Sequence, residues 1–211
     1  MEKEQKVYAY FDGSNFYHLS KLNYGITGID FSKIAHYMLD DNEILGKIKY
    51  YNSPVNQQED LDNYARQLKF FEKIKKIPLL ELNLGRLVKR KINKINILCQ
   101  KCGLQFVESV NCPSCNSIIS LKEIYKTTEK GLDVKMATDL LLDSIENNFD
   151  TALIFSGDAD FSPAIDYIVN KLKKKIIYCR FPKPKTNELI KICSATRIII
   201  KDFVVKANLM N

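Results

Sequence analysis

The chain has 211 residues, 45% of them hydrophobic and 27% charged, with a formal net charge of +7. That length buries one full-sized core with room for a small accessory module. It excludes a membrane-spanning protein, because no apolar stretch reaches the roughly 20 residues needed to cross a bilayer, and "MEKEQKVYAYFDG" runs into a strand pattern without a signal-peptide core. A soluble, cytoplasmic protein is expected. The positive charge is uneven. "GRLVKRKINK" holds five basic residues and no acid, and "KLKKKIIYCRFPKPK" holds seven and no acid. Such runs point to a polyanionic partner as readily as to solvated faces.

In chain order, "VYAYF" reads as a buried strand, followed by the turn "DGSN" and a helix beginning near Phe16. "FSKIAHYML" is a second helix and "GKIKYYNSPV" the next strand. Leu61, Tyr64, Leu68, Phe71 and Ile74 recur at three- and four-residue steps, which marks one face of an amphipathic helix that Pro78 stops. "LLELNLGRLVKRK" predicts a strand with a turn at Gly85. Beyond a cysteine-bearing interruption, "DVKMATDLLLDSIENN" is helical, "TALIFSG" a strand, and "FSPAIDYIVNKLK" helical, with Ser162 as N-cap and Pro163 as first helical position. "KIIYCRF" and "ATRIIIKDF" are further strands around the helix "TNELIKIC". Strands separated by helices imply right-handed crossovers, so the fold class is α/β, a mostly parallel sheet flanked by helices.

In such sheets, sites form beyond the carboxyl ends of the strands, where strand order reverses. Asp12 follows the first strand, Asp158 and Asp160 follow "TALIF", and Asp133 opens the helix "VKMATDLL". Two carboxylates about 4 Å apart repel by roughly 4 kcal/mol at an effective dielectric near 20. Convergence of these acids therefore needs compensation, from a proton, from Lys130 or, most simply, from a divalent cation with oxygen ligands. Each acid also has a plainer reading: Asp12 as a turn residue, Asp133 as a helix cap. Asp158 is less easily explained as a cap, because Ser162 and Pro163 already account for the helix start. Asp139 lies about 240° around the helix from Asp133 and faces elsewhere. With only His18 and His36 in the chain, a paired-histidine mechanism has little support, and no Gly-x-Ser-x-Gly elbow is present.

"YAYFDGSNFYH", "KGLDVKMATDLLLDSIENN" and "DTALIFSGDADFSPAIDYIVNKLKKKIIYC" together resemble the NYN domain, in its LabA-like branch, within the PIN-like nuclease superfamily. The resemblance runs from about Val7 to Phe203 outside the interruption, and its ordered motifs are more specific than any one alone. It implies a parallel-sheet core and a ribonuclease activity that hydrolyses RNA phosphodiester bonds with magnesium or manganese. On the same resemblance Asp12, Asp133 and Asp158 are the metal-binding acids and Asp160 a further catalytic acid, while Asn15, Ser156 and Lys130 match positions that serve the substrate. In place of the Asp that usually precedes the family's last strand, this chain has Ala195 and Thr196. That leaves open an RNA-binding or protein-interaction module with a weakened nuclease site.

The interruption "CQKCGLQFVESVNCPSC" sets Cys99, Cys102, Cys112 and Cys115 as two Cys-x-x-Cys pairs. Four thiolates in that pattern suit a closed tetrahedral structural zinc site, here a zinc ribbon inserted as residues 95–130 between 1–94 and 131–211 of the nuclease-type domain. Cys179 and Cys193 lie in apolar contexts and read as core residues. The expected partners are RNA, single-stranded or structured, with a protein bound through the ribbon and a second copy of the chain as further options.

Overall fold

The structure, a computed structural model, describes residues 4–209 apart from 56, 58, 59, 92–96, 99–104, 107, 108, 121–124 and 185. It divides into two compact units, one of residues 1–86 with 131–211 and one of residues 87–130. The first unit opens with β1 (Gln5–Asp12), α1 (Gly13–Tyr24), α2 (Phe31–Tyr37), β2 (Glu43–Asn52), α3 (Leu61–Ile74) and β3 (Leu80–Leu84). The second is built of short strands: β4 (Arg86–Lys91), β5 (Ile97–Leu98), β6 (Gln105–Phe106), β7 (Ser109–Asn111), β8 (Ile118–Ser120) and β9 (Tyr125–Lys130). These form three two-stranded sheets, β4 with β9, β5 with β6 and β7 with β8. The first unit resumes with α4 (Leu132–Ile145), β10 (Thr151–Phe155), a 3-10 turn (Ala159–Phe161), α5 (Ser162–Asn170), β11 (Lys175–Arg180), α6 (Asn187–Ile192), β12 (Ala195–Ile198) and α7 (Lys201–Lys206).

Its six strands form one sheet in the order β12-β11-β10-β1-β2-β3, and every neighbouring pair is parallel. Strand side chains alternate between faces, and the two cores follow that period. Val7, Ala9 and Phe11 of β1 join Leu153, Phe155, Ile177 and Cys179 in one core, closed by Phe16, Ile34, Phe71 and Val204 of the helices on that side. Tyr8 and Tyr10 join Ala152, Ile154, Ile176 and Tyr178 in the other, closed by Met136, Leu140, Ile165 and Leu189. A sheet covered on both faces explains why its central strands read as unbroken apolar runs. β1 and β10 lie side by side at the centre, and the chain winds outward from them in opposite directions. The topological switch point is therefore between these two strands.

Several expectations are corrected. In α3 only Phe71 and Ile74 are buried, while Leu61 and Leu68 of the expected apolar face are exposed. The helix covers the sheet through its last turns, assisted by partly buried Phe70. The run "ATRIIIKDF" is not one strand: β12 stops at Ile198, Ile199 is buried as the chain turns, and Lys201 to Phe203 begin α7. The basic run from 171 to 185 is not one face either. Lys174 Nζ donates to the Phe149 carbonyl and Lys175 pairs with Glu43 at the amino end of β11. Arg180 stands at the other end of that strand, about 16 Å away at 3.3 Å per residue. Lys185 and residues 92–94 of the other basic run lie outside the described residues. Cys179 and Cys193 are buried, and burial raises both thiols, that of Cys193 to about 12, which keeps them protonated and unreactive. Among the described residues no helix is long and apolar enough to cross a membrane.

Candidate active site at the switch point

The rim of the sheet is organised by Asp12. It ends β1 and caps α1, with Oδ1 accepting from the backbone N–H of Asn15 at 3.0 Å. The cap starts the helix at Gly13, three residues earlier than the sequence predicts. Glycine is required there, because a Cβ at 13 would collide with the Tyr50 hydroxyl and lie 2.7 Å from the Tyr51 carbonyl. The second Asp12 oxygen accepts from Ser156 Oγ at 2.9 Å, at the end of the neighbouring β10. Asn15 Oδ1 in turn accepts from the Gly157 N–H at 2.9 Å, and the Asp158 N–H donates to Ser156 Oγ. The loops leaving β1 and β10 are thus tied together by side chains of Asp12, Asn15 and Ser156.

Asp158 has a capping role that the sequence reading discounted. Its Oδ1 accepts from the Asp160 N–H at 2.9 Å and caps the 3-10 turn. Ser162 does not cap α5: the N-cap residue is Phe161, and the Ser162 hydroxyl is buried without a hydrogen-bond partner. Asp133 lies in the first turn of α4, whose N-cap is Gly131 at φ 83°, a left-handed conformation that favours glycine. Among the described residues no side-chain cap hydrogen bond closes the start of that helix, and none is made by the Asp133 carboxylate. Lys130 ends β9 and belongs to the second unit.

The acids feel one another. Burial pushes the Asp12 carboxyl above its ordinary range, the bonds from Asn15 and Ser156 pull it back, and repulsion from Asp133 and Asp158 pushes it up again. Asp133 is raised by partial burial and then by Asp158 and Asp160. All four sequence-predicted acids therefore share one electrostatic field. None of them forms an ion pair with a lysine or arginine among the described residues. Among those residues, no three His, Cys, Asp or Glu side chains are gathered at the spacing of a formed metal centre. Asp139 turns aside, accepting from Tyr51 Oη at 2.8 Å and from Lys135 at 3.1 Å.

Ala195 and Thr196 stand at the amino end of β12, paired with Ile177 and Tyr178. Ala195 is about 10 Å and Thr196 about 7 Å short of the carboxyl end of β12 by strand rise, and β12 lies two strands beyond β10. The nearby acid Asp202 is on α7 and pairs with Lys206 at 2.7 Å.

Beneath the acids lies a polar network that the sequence did not single out. Asp143 of α4 and Lys49 of β2 are both buried and paired, and Asp143 also accepts from Tyr10 Oη at 2.6 Å and from Asn148 at 3.0 Å. The signal available was the lysine in the buried strand "KIKYY", which needs a partner when it faces a core.

In the second unit, Cys112 and Cys115 are free thiols in the turn between β7 and β8. Hydrogen bonds with Ser117 lower the Cys115 thiol, toward the thiolate form that ligates metal. Cys99 and Cys102 lie outside the described residues.

A doubly wound parallel sheet with carboxylates at its switch point defines a class of α/β protein whose chemistry sits at the carboxyl rim. The chain belongs to the NYN domain family, which matches residues 6–200 and places it among PIN-like, nuclease-type proteins. A protein of unknown function from Vibrio parahaemolyticus RIMD 2210633 superposes with a TM-score of 0.64 at 18% identity, over 97% of this chain and 98% of that one, which shows the fold. A structure concerned with sirtuin substrate affinity covers 98% of this chain and 93% of its own at a TM-score of 0.38 and 9% identity. One concerned with Sir2 enzymes covers 100% and 95% at 0.37 and 11%. Those two carry no argument. No curated protein sequence matches the chain.

Proposed function

We propose that the protein is a divalent-metal-dependent endoribonuclease of the LabA-like NYN branch, with its site at Asp12, Asp133, Asp158 and Asp160. The observation that carries this reading is the mutual repulsion of these carboxylates at the switch point, with no basic side chain paired to them among the described residues. An all-oxygen acidic donor set suits hard ions such as magnesium or manganese. Asp12, Asp133 and Asp158 are the ligands, and Asp160 extends the negative field. The chemistry supplied by such an ion when bound is polarisation of a phosphoryl oxygen and acidification of a water molecule.

The chain's own residues do the positioning. Ser156 holds one Asp12 oxygen and Asn15 fixes the loop of Asp158, so two of the three acids are aimed by hydrogen bonds rather than by free rotation. Asn15 has its Nδ2 left for a phosphate oxygen, and Lys130 is a second candidate for substrate contact. The test is cleavage of a labelled RNA with manganese. Wild type should cut in manganese and not in excess chelator, and Asp158→Asn should cut at least about tenfold more slowly. An equal cut by the variant, or none by wild type, rejects the reading.

Residues 95–130 form, on this reading, a ribbon holding one structural zinc through Cys99, Cys102, Cys112 and Cys115. The lowered Cys115 thiol supports it. Protein purified without chelator should carry about one zinc per chain by elemental analysis, the content of a single four-cysteine site. Cys112→Ser should lose it.

A further inference from the structure

Strand side chains alternate, so Tyr8, Tyr10 and Asp12 of β1 leave the sheet on one face, the face that α4 covers. On the neighbouring β2 the residues in register with Tyr10 and Asp12 are Lys49 and Tyr51, and residues in register share a face. Each of these pairs meets a carboxylate of α4. Asp143 accepts from Tyr10 Oη at 2.6 Å and from Lys49 Nζ at 2.5 Å, and one turn earlier Asp139 accepts from Tyr51 Oη at 2.8 Å. Asp133 lies on the same helix, about 9 Å nearer its start than Asp139 at 1.5 Å per residue. Among the described residues its own carboxylate makes no hydrogen bond. Its place relative to Asp12 is therefore set by how α4 sits on β1 and β2.

The apolar contacts of α4 hold it to the sheet without fixing that placement. Leu132, Met136 and Leu140 share a core with Tyr8, Tyr10 and Ile154, and hydrophobic burial has no preferred direction. Hydrogen bonds do. The bond nearest the acids is that of Tyr51 with Asp139: Tyr51 is in register with Asp12 itself, and Asp139 is the nearer of the two acceptors to Asp133 along the helix. Tyr51 is 2% exposed, so water does not compete for the bond. Burial, followed by the charge and hydrogen bond of Asp139, raises its hydroxyl, which stays a donor across the ordinary pH range. The second bond to Asp139 comes from Lys135, whose side chain is 44% exposed, and a pair that open contributes little. The charges that raise Asp133 are those of Asp158 and Asp160, not of Asp139, so Asp139 acts on the site through the helix. A misplacement of about 1 Å at a reacting centre can cost about 100-fold in rate, which makes such a distant tie consequential.

We propose that Tyr51 and Asp139 are positioning residues for the acidic site: their hydrogen bond fixes where α4 sits along the strands, and with it the placement of Asp133 relative to Asp12. The inference rests on the ribonuclease reading for the metal that these two acids hold. Its test is manganese binding by the full chain without RNA, read as loss of the free-ion EPR signal, with the binding that remains in Asp12→Asn subtracted. Tyr51→Phe removes one hydroxyl and no charge, so the electrostatic attraction of the ion is unaltered. It should bind manganese at least about tenfold more weakly, the smaller loss expected when a residue that orients a ligand is removed. Ile165→Val, in the same core, lowers the melting temperature with the tie intact, and should bind as wild type does. In an Asp139→Ala background Tyr51→Phe should have no further effect, because its partner is already gone. Asp139→Ala alone should also bind more weakly, and it carries the test if Tyr51→Phe does not fold. Wild-type affinity in Tyr51→Phe or in Asp139→Ala, an equal loss in Ile165→Val, or a full further loss in the double variant overturns the inference and leaves the ribonuclease reading standing. Failure of that reading looks different: wild type and Asp12→Asn bind manganese alike, and both ideas fall.

Discussion

Replacing Asp12 by asparagine should slow metal-dependent RNA cleavage by more than about 100-fold while raising the melting temperature of the metal-free protein. Loss of a residue that merely orients a metal ligand costs about 10- to 100-fold, so removal of a central ligand should exceed that range. The stability effect has the opposite sign because the substitution is nearly isosteric. The asparagine side chain keeps an oxygen to accept from the Asn15 N–H, and its amide can donate to Ser156 Oγ, so the cap and the tie between β1 and β10 survive. What disappears is a charge that burial disfavours and that Asp133 and Asp158 repel. The native Asp12 carboxyl is raised above its unfolded value, so the native state takes up the proton first on acidification. Wild type without metal therefore gains stability as pH falls from the raised value to the ordinary carboxylate range, and the advantage of Asp12→Asn should shrink over the same interval. Manganese should reverse the order at neutral pH by stabilising wild type and not the variant. Thermal melts at several pH values, with and without manganese, read both effects. A variant less stable than wild type in chelator, or equally stabilised by manganese, would show that Asp12 acts only as a cap.

The parts of this site that were legible in the sequence are those set by strand ends. An apolar run that is buried on both faces announces itself, and a carboxylate directly after it stands at the rim. That is how the rim positions of Asp12 and Asp158 could be anticipated from "VYAYFD" and "TALIFSGD". What could not be read was how each side chain divides its oxygens. Whether Asp158 or Ser162 caps the following turn depends on a 3-10 step between them, and the motif Ser-Pro fits either outcome. Likewise the three- and four-residue spacing in α3 gave the helix but not which face is covered, because an end-on packing leaves Leu61 and Leu68 in solvent. Ala195 and Thr196 stand where the resemblance implies an acid, and they open β12 at its amino end. In a parallel sheet the amino end of a strand lies away from the carboxyl rim that carries the acids. Lys49 in "KIKYY" signals that a partner is needed if it faces a core, but not which partner. A lysine in an alternating strand normally marks the wet face, and nothing nearby in the sequence indicates that Asp143, 94 residues on, lies opposite it.

That buried pair gives the largest expected loss of stability, in Asp143→Ala. Burial alone would raise the Asp143 carboxyl, but hydrogen bonds from Lys49, Tyr10 and Asn148 outweigh it and hold the carboxyl below its usual range. Truncation leaves the Lys49 ammonium in the core without a counter-charge and the Tyr10 hydroxyl without its acceptor. Breaking a buried pair from one side costs about 3–5 kcal/mol, far more than the pair contributes relative to apolar residues of the same size. The double change Lys49→Met with Asp143→Leu should therefore recover most of the loss, and urea denaturation of the single and double variants measures it. The pH dependence follows from the direction of the shift. A carboxyl lowered on folding contributes stability that is complete above its unfolded value, near 4, and is lost as pH falls through the lower native value. The gap between wild type and Asp143→Ala should accordingly be widest at neutral pH and narrow below about pH 4. If the single variant loses less than about 1 kcal/mol, as an exposed pair would, Lys49 must find water in the variant, and the core between α4 and the sheet is wetter than its packing implies.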